Sequence, residues 1–109
     1  MKSAWILLVL AGIFEIGWPV GLKNAQTTGS VNFLWIGFAI SCMAISGFLL
    51  FMAQKTIPIG TAYAVWTGIG AAGTFLIGIW FYGDPNSTLR AFSFLLIIFG
   101  VVGLKLASV

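Results

Sequence analysis

Long apolar stretches alternate with short polar turns along the whole 109-residue chain. Each stretch is close to the roughly 20 residues that a helix needs to cross the hydrocarbon core of a bilayer. The pattern predicts helices at about residues 4–22, 32–53, 59–82 and 89–107. Because the intervening turns are too short to fold separately, we expect an all-α membrane protein, with residues 1–109 forming a single four-helix transmembrane domain.

Composition supports a membrane location, since 61% of residues are hydrophobic and only 6% are charged, against about 25% charged in soluble domains. The net charge of +3 comes from too few groups to predict nucleic-acid binding. Histidine is absent and Cys42 is the single cysteine, so we expect no metal site and no internal disulfide, and we read Cys42 as a small core residue. No phosphate-binding loop or nucleophile–base pair is evident, so we predict neither an enzyme nor a cofactor.

Glu15 is the one acidic residue inside an apolar stretch, because Asp84 belongs to a turn. A carboxylate at the middle of a membrane helix costs about 2.5–3.5 kcal/mol on insertion scales, so it should face a protein interior or a watery cavity and bind a positive group. Gly12 and Trp18 share its helical face, one leaving room and the other offering an indole that attracts cations. Trp18 has an alternative role as an interfacial anchor.

Pro19 follows four residues after Glu15 and lacks the N–H that would bond the carbonyl of Glu15. Either that carbonyl lines a cavity, or Pro19 simply kinks the helix for packing. In the third stretch, Tyr63, Trp66 and Gly70 share a face. Gly68 and Gly70 weaken the helix, which indicates either a conformational hinge or close packing.

The second and fourth stretches offer less chemistry. Ser46 has a hydroxyl that either contacts a ligand or bonds its own helix backbone. Gly100 and Gly103 are accompanied by no reactive side chain, so we predict a role in dimer packing.

The charges at the ends of the stretches suggest an unusual assembly. If both termini face the cytoplasm, Lys2, Lys55 and Lys105 lie on that side and Lys23 and Arg90 on the other. This three-to-two division gives almost no orientation bias under the positive-inside rule. The chain either inserts both ways and forms an antiparallel dimer, or has one weakly biased topology.

A lone carboxylate beside aromatic rings can hold a cation or a proton, but not both. If the site opens to one side of the membrane at a time, this competition gives proton/cation antiport. Such a passage requires more than one copy, because four helices enclose a narrow core.

Three segments together resemble the small multidrug resistance transporters of bacterial inner membranes. They are Gly12-Ile13-Phe14-Glu15 with Trp18, the stretch from Pro58 to Ala71, and the stretch from Gly100 to Lys105. Within that family, the residues around Tyr63 and Trp66 are similar to those of the guanidinium-exporter subtype. Pro19 and Gly47 depart from the subtype.

The resemblance implies an antiparallel, dual-topology homodimer in the membrane lipid that exports guanidinium by alternating access, in exchange for protons. Glu15 would bind substrate or proton, with Trp18, Tyr63 and Trp66 lining the site. Ser46 would bond Glu15 or the substrate region, and Gly68 and Gly70 would mark the hinge. Two alternatives stay open: an exporter of quaternary ammonium or other hydrophobic cations, and a non-transporting membrane subunit.

Overall fold

The computed structural model of the protein describes residues 2–27 and 30–107. Within these ranges the elements are α1 (Lys2–Ala25), β1 (Gln26–Thr27), β2 (Ser30–Val31), α2 (Phe33–Ala53), α3 (Ile59–Tyr82) and α4 (Thr88–Ala107). All four described helices are long and apolar enough to cross a membrane. The predicted all-α architecture with four spanning helices is confirmed.

The structure differs from the prediction at the first turn. Helix α1 continues past the predicted end at residue 22 to Ala25, with Pro19 inside it. The polar segment that follows forms a short antiparallel pair, in which Gln26 is opposite Val31. Asn32 then caps α2 by accepting a hydrogen bond from the Leu34 N–H at 3.1 Å. Thr28 and Gly29, which the predicted turn included, lie outside the described residues.

Helix α3 begins directly after Pro58, whose missing N–H costs nothing at a helix start. It ends at Gly83, whose φ of 69° is the left-handed conformation that glycine adopts without a Cβ clash. The backbone N–H groups of Gly83 and Asp84 both turn back to the carbonyl of Gly78, Asp84 at 3.0 Å. This cap folds Asp84 back against the end of α3.

The helices form a flat arrangement that measures 50 × 34 × 17 Å. Helix α1 packs against both α2 and α3, while α4 packs chiefly on α3. None of the α4 residues is buried. In lipid, no hydrophobic force drives apolar side chains into a protein core, so four helices need not pack into a compact bundle.

The buried core lies toward the end of the molecule where α1 begins. It consists of side chains from α1, from the end of α2 and the turn after it, and from α3, and half of them are alanines: Ala4, Leu8, Ala53, Ile57, Ala62 and Val65. Small residues let helix backbones approach closely where no hydrophobic force drives them together. Cys42 is buried too, as predicted.

Glycines set the contacts of α1. A Cβ at Gly12 would lie 2.7 Å from the side chain of Ile69, so α3 occupies the space that Gly12 leaves open. Gly73 of α3 receives Ile16 of α1 in the reverse sense. On the opposite side, Gly17 packs against Cys42 of α2. Helix α1 is thereby held between two neighbours, with Glu15 in the middle of the α1–α3 contact.

Candidate functional site

Glu15 lies at the contact between α1 and α3, partly buried, with its aliphatic stem against Gly70. A Cβ at position 70 would be 2.6 Å from Cγ of Glu15 and 3.2 Å from its Cβ. Gly70 therefore provides the room in which the glutamate side chain lies. The structure thus places Gly70 directly beside Glu15. The predicted role of Gly70 as part of a conformational hinge stays a prediction.

Ser46 of α2 is completely buried and connects three elements through its hydroxyl. Its Oγ donates to the carbonyl of Ala11 at 2.7 Å and accepts the indole N–H of Trp66 at 2.8 Å. An oxygen of the Glu15 carboxylate lies 3.4 Å from the same Oγ, at the long limit of a hydrogen bond. Of the two roles considered for Ser46, bonding to its own helix is wrong, and the hydroxyl instead joins the Glu15 region.

Trp66 and Tyr63 of α3 form an aromatic pair, with ring centroids 5.5 Å apart and planes inclined by 50°. Trp66 is joined to the glutamate region through Ser46, whereas Tyr63 is 58% exposed. Trp18 is partly buried, one turn beyond Glu15 on α1. Among the described contacts, neither Tyr63 nor Trp18 touches Glu15 directly.

A cavity of about 250 Å³ opens beside the carboxylate. Its walls come from α1 and α3: Glu15, Pro19, Thr67, Gly70, Ala71 and Thr74. The sequence argument missed the two threonines, although Thr67 precedes Gly70 by three residues and Thr74 follows it by four. Residues 67, 70, 71 and 74 recur every three or four positions, which is the signature of one helix face.

The remaining predicted residues lie on the α3–α4 side. Gly68 packs against Val101 of α4, since a Cβ at position 68 would be 2.5 Å from Cγ2 of Val101. Gly100 and Gly103 have no atoms within 4 Å of an added Cβ. They line an open groove of about 530 Å³ between α3 and α4. These three glycines are not part of the Glu15 cavity.

The cavity offers one negative charge with hydroxyl groups around it. This set suits an organic cation or a proton, since a carboxylate accepts hydrogen bonds on two oxygens and hydroxyls accept as well. In the part of the chain that the structure describes, no three acidic, histidine or cysteine residues group together as metal ligands would. The chemistry available at the site is reversible binding of a cation or a proton.

Known proteins resemble this chain over nearly its whole length. The family model described as Small Multidrug Resistance protein matches residues 3–97. The guanidinium exporter of Yersinia pseudotuberculosis serotype I is 49% identical over 105 residues, covering 96% of this chain and 99% of that protein. The guanidinium exporter of Escherichia coli (strain K12) is 44% identical, covering 96% of this chain and 98% of that one.

A third relative, the guanidinium exporter of Proteus vulgaris, is 47% identical over 105 residues, or 96% of this chain and 99% of that protein. All three are named as exporters, which agrees with the prediction of a transporter and not an enzyme. The resemblance inferred from the motifs is confirmed. This multi-pass membrane chain belongs to the Small Multidrug Resistance family.

Proposed function

We propose that this chain exports guanidinium across the bacterial inner membrane in exchange for protons, with both ligands competing for Glu15. The observation that carries the proposal is the Glu15 carboxylate, which lies in a membrane-spanning helix and opens on a cavity. The names of the full-length relatives support guanidinium as the exported ion.

The form of guanidinium suits the site. Its planar N–H groups match the two oxygens of a carboxylate and form a bidentate, charge-assisted pair. Because Ser46 gives its proton at 2.7 Å to Ala11 and lies 3.4 Å from Glu15, both carboxylate oxygens keep acceptor capacity for a ligand. A proton on Glu15 removes the charge that holds the cation, so binding of one ligand releases the other.

Export also requires a passage that is closed on one side at a time. We propose that two copies pair in antiparallel orientation, and that Trp18 and Tyr63 complete the site together with the partner's Glu15. The exposed ring of Tyr63 supports this arrangement, since 58% of its surface is uncovered in one protomer. Gly12 contributes by allowing the close α1–α3 contact, and Gly68 and Gly70 would allow α3 to change shape between the two open states.

Guanidinium-driven proton movement in proteoliposomes tests the proposal. With an imposed guanidinium gradient, wild-type protein should move protons in the opposite direction, and Glu15→Gln should abolish that movement. Ser41→Ala provides a matched control, because that hydroxyl bonds the carbonyl of Gly37 on the exposed face of α2. Proton movement driven by tetramethylammonium but not by guanidinium would show that the substrates are quaternary ammonium ions and not guanidinium. Movement with neither would favour a non-transporting subunit.

A further inference from the structure

Thr74 of α3 has a buried hydroxyl without a hydrogen-bond partner among the described residues. A polar atom left desolvated and unpaired destabilises a fold, because it loses its hydrogen bonds to water and gains none in return. Such an atom in a folded protein calls for an explanation, and a missing ligand is one. Thr74 is one of the residues that line the same cavity as Glu15.

Two serine hydroxyls in other helices behave differently. Ser41 and Ser93 each donate to the carbonyl four residues earlier in their own helix, both at 2.9 Å. That backbone bond is the usual way for serine and threonine to satisfy themselves in membrane helices. Thr74 does not use it, although Gly70 stands four residues before it.

A second cavity, of about 240 Å³, has Thr74 in its wall as well. Its lining comes from the ends of α1 and α3 and the turn after α3: Pro19, Val20, Lys23, Thr74, Ile77, Gly78, Tyr82 and Asp84. Pro19 and Thr74 line both cavities, so these two residues lie between the space beside Glu15 and the polar end of the molecule.

From this geometry we infer that Thr74 is a substrate-binding residue, whose hydroxyl accepts an N–H of guanidinium while Glu15 holds the cation. The inference rests on the proposed function and extends it to a residue outside the aromatic and glutamate set. It assigns the Thr74 hydroxyl to the side of the cation that faces the second cavity.

The donor count of the ligand supports this assignment. A guanidinium bound bidentately to Glu15 still has N–H groups directed away from the carboxylate, and in a low-dielectric site each of them needs an acceptor. The Thr74 hydroxyl is one acceptor. Pro19, which lines both cavities, has no N–H to bond the carbonyl of Glu15, so that carbonyl also keeps acceptor capacity.

The test compares Thr74→Val, which keeps the shape and removes the hydroxyl, with Thr74→Ser, which keeps the hydroxyl. Guanidinium-coupled proton flux is measured in proteoliposomes over a range of guanidinium concentrations, with Ser41→Ala as the control. Thr74→Val should raise the KM for guanidinium about tenfold, equivalent to about 1.4 kcal/mol, with a smaller change in the maximal rate. Thr74→Ser and Ser41→Ala should stay close to wild type.

Three results would overturn the inference while leaving the proposed function intact. They are a wild-type KM in Thr74→Val, an equal rise in Thr74→Ser, and an equal rise in Ser41→Ala. If Thr74→Val does not elute as a single species from size-exclusion chromatography, Thr74→Ala takes its place under the same expectation. Failure of the wild-type protein itself to couple guanidinium to protons would overturn the proposed function and this inference together.

Discussion

At the scale of single residues, the Ser46 hydroxyl organises the site because it has one proton and three polar neighbours. It accepts from Trp66, donates to Ala11, and lies within 3.4 Å of Glu15. The shorter distance to Ala11 shows where the proton is given. Glu15 is thus held near a hydroxyl without being saturated by it, which suits a carboxylate that must bind and release a ligand.

Removing this hydroxyl should weaken both structure and binding. In Ser46→Ala the indole N–H of the partly buried Trp66 loses its acceptor, which we expect to destabilise the protein by about 1–3 kcal/mol. The loss should be visible as a lower melting temperature in detergent and a weaker response to guanidinium. Ser41→Ala serves as the control, since its hydroxyl bonds only its own helix. Equal melting temperatures for the two variants would contradict the expected role of Ser46.

Part of this site was predictable from the sequence. Glu15 stands out because a charge in an apolar stretch is costly, and Trp66 and Gly70 follow from the helical period. The bond between Ser46 and Ala11 was not predictable, because a serine in a membrane helix has its own backbone as an equally available partner. Thr74 was missed for the same reason, since nothing in the sequence distinguishes a threonine that bonds its helix from one that does not.

At the scale of helices, glycines decide which helix packs where. Three pairs form the seam between α1 and α3: Ile69 packs against Gly12, Glu15 against Gly70, and Ile16 against Gly73. Hydropathy predicted the helices well, because a membrane span needs a long apolar run. It could not predict this seam, because lipid-facing and helix-facing positions are equally apolar. The short β1–β2 pair also escaped prediction, since two residues carry no periodic signal.

A methyl group at Gly70 should disturb the α1–α3 seam at the glutamate. The added Cβ in Gly70→Ala would be 2.6 Å from Cγ of Glu15, so that side chain has to shift. Overpacking of this kind costs about 1–3 kcal/mol, which corresponds to roughly a 5- to 150-fold loss of coupled flux if the strain falls on the bound state.

The control for this variant lies in the same helix. Gly60 has no atoms within 4 Å of an added Cβ, so Gly60→Ala makes the same chemical change in open space. We expect it to transport like wild type. Wild-type flux in Gly70→Ala, measured in the same proteoliposome assay, would show that the glutamate stem does not need the space at position 70.

At the scale of the whole molecule, the described chain is only 17 Å thick along its shortest axis. Packed helix axes lie about 8–10 Å apart, so this thickness corresponds to about two layers of helices, which we expect to be too few to enclose a passage within one protomer. Helix α4 is attached through Gly68 and Val101 and through the stacked rings of Phe75 and Phe94, 5.2 Å apart. Gly100 and Gly103 face the side of α4 that opens on the groove beside α3, where no atoms lie within 4 Å of an added Cβ.

We expect bulky side chains on this side of α4 to separate the proposed dimer. Gly100→Leu and Gly103→Leu would fill the groove that a second copy needs for close helix approach. Light scattering after size-exclusion chromatography should then report a smaller protein mass than for wild type. Gly37→Leu on α2, also without neighbours within 4 Å, should leave the mass unchanged. A wild-type mass in both α4 variants would place the dimer contact elsewhere.

The thinness of the protomer has a consequence for how such a transporter changes over generations. If two copies of the same chain form the two walls of the passage, every substitution in the gene changes both walls at once. A residue that improves the cavity for one cation must therefore be acceptable in two different surroundings, one on each side of the ligand. Each change of selectivity then arises from the same substitution in both copies. A substitution in one wall alone requires a second gene that encodes a different partner chain.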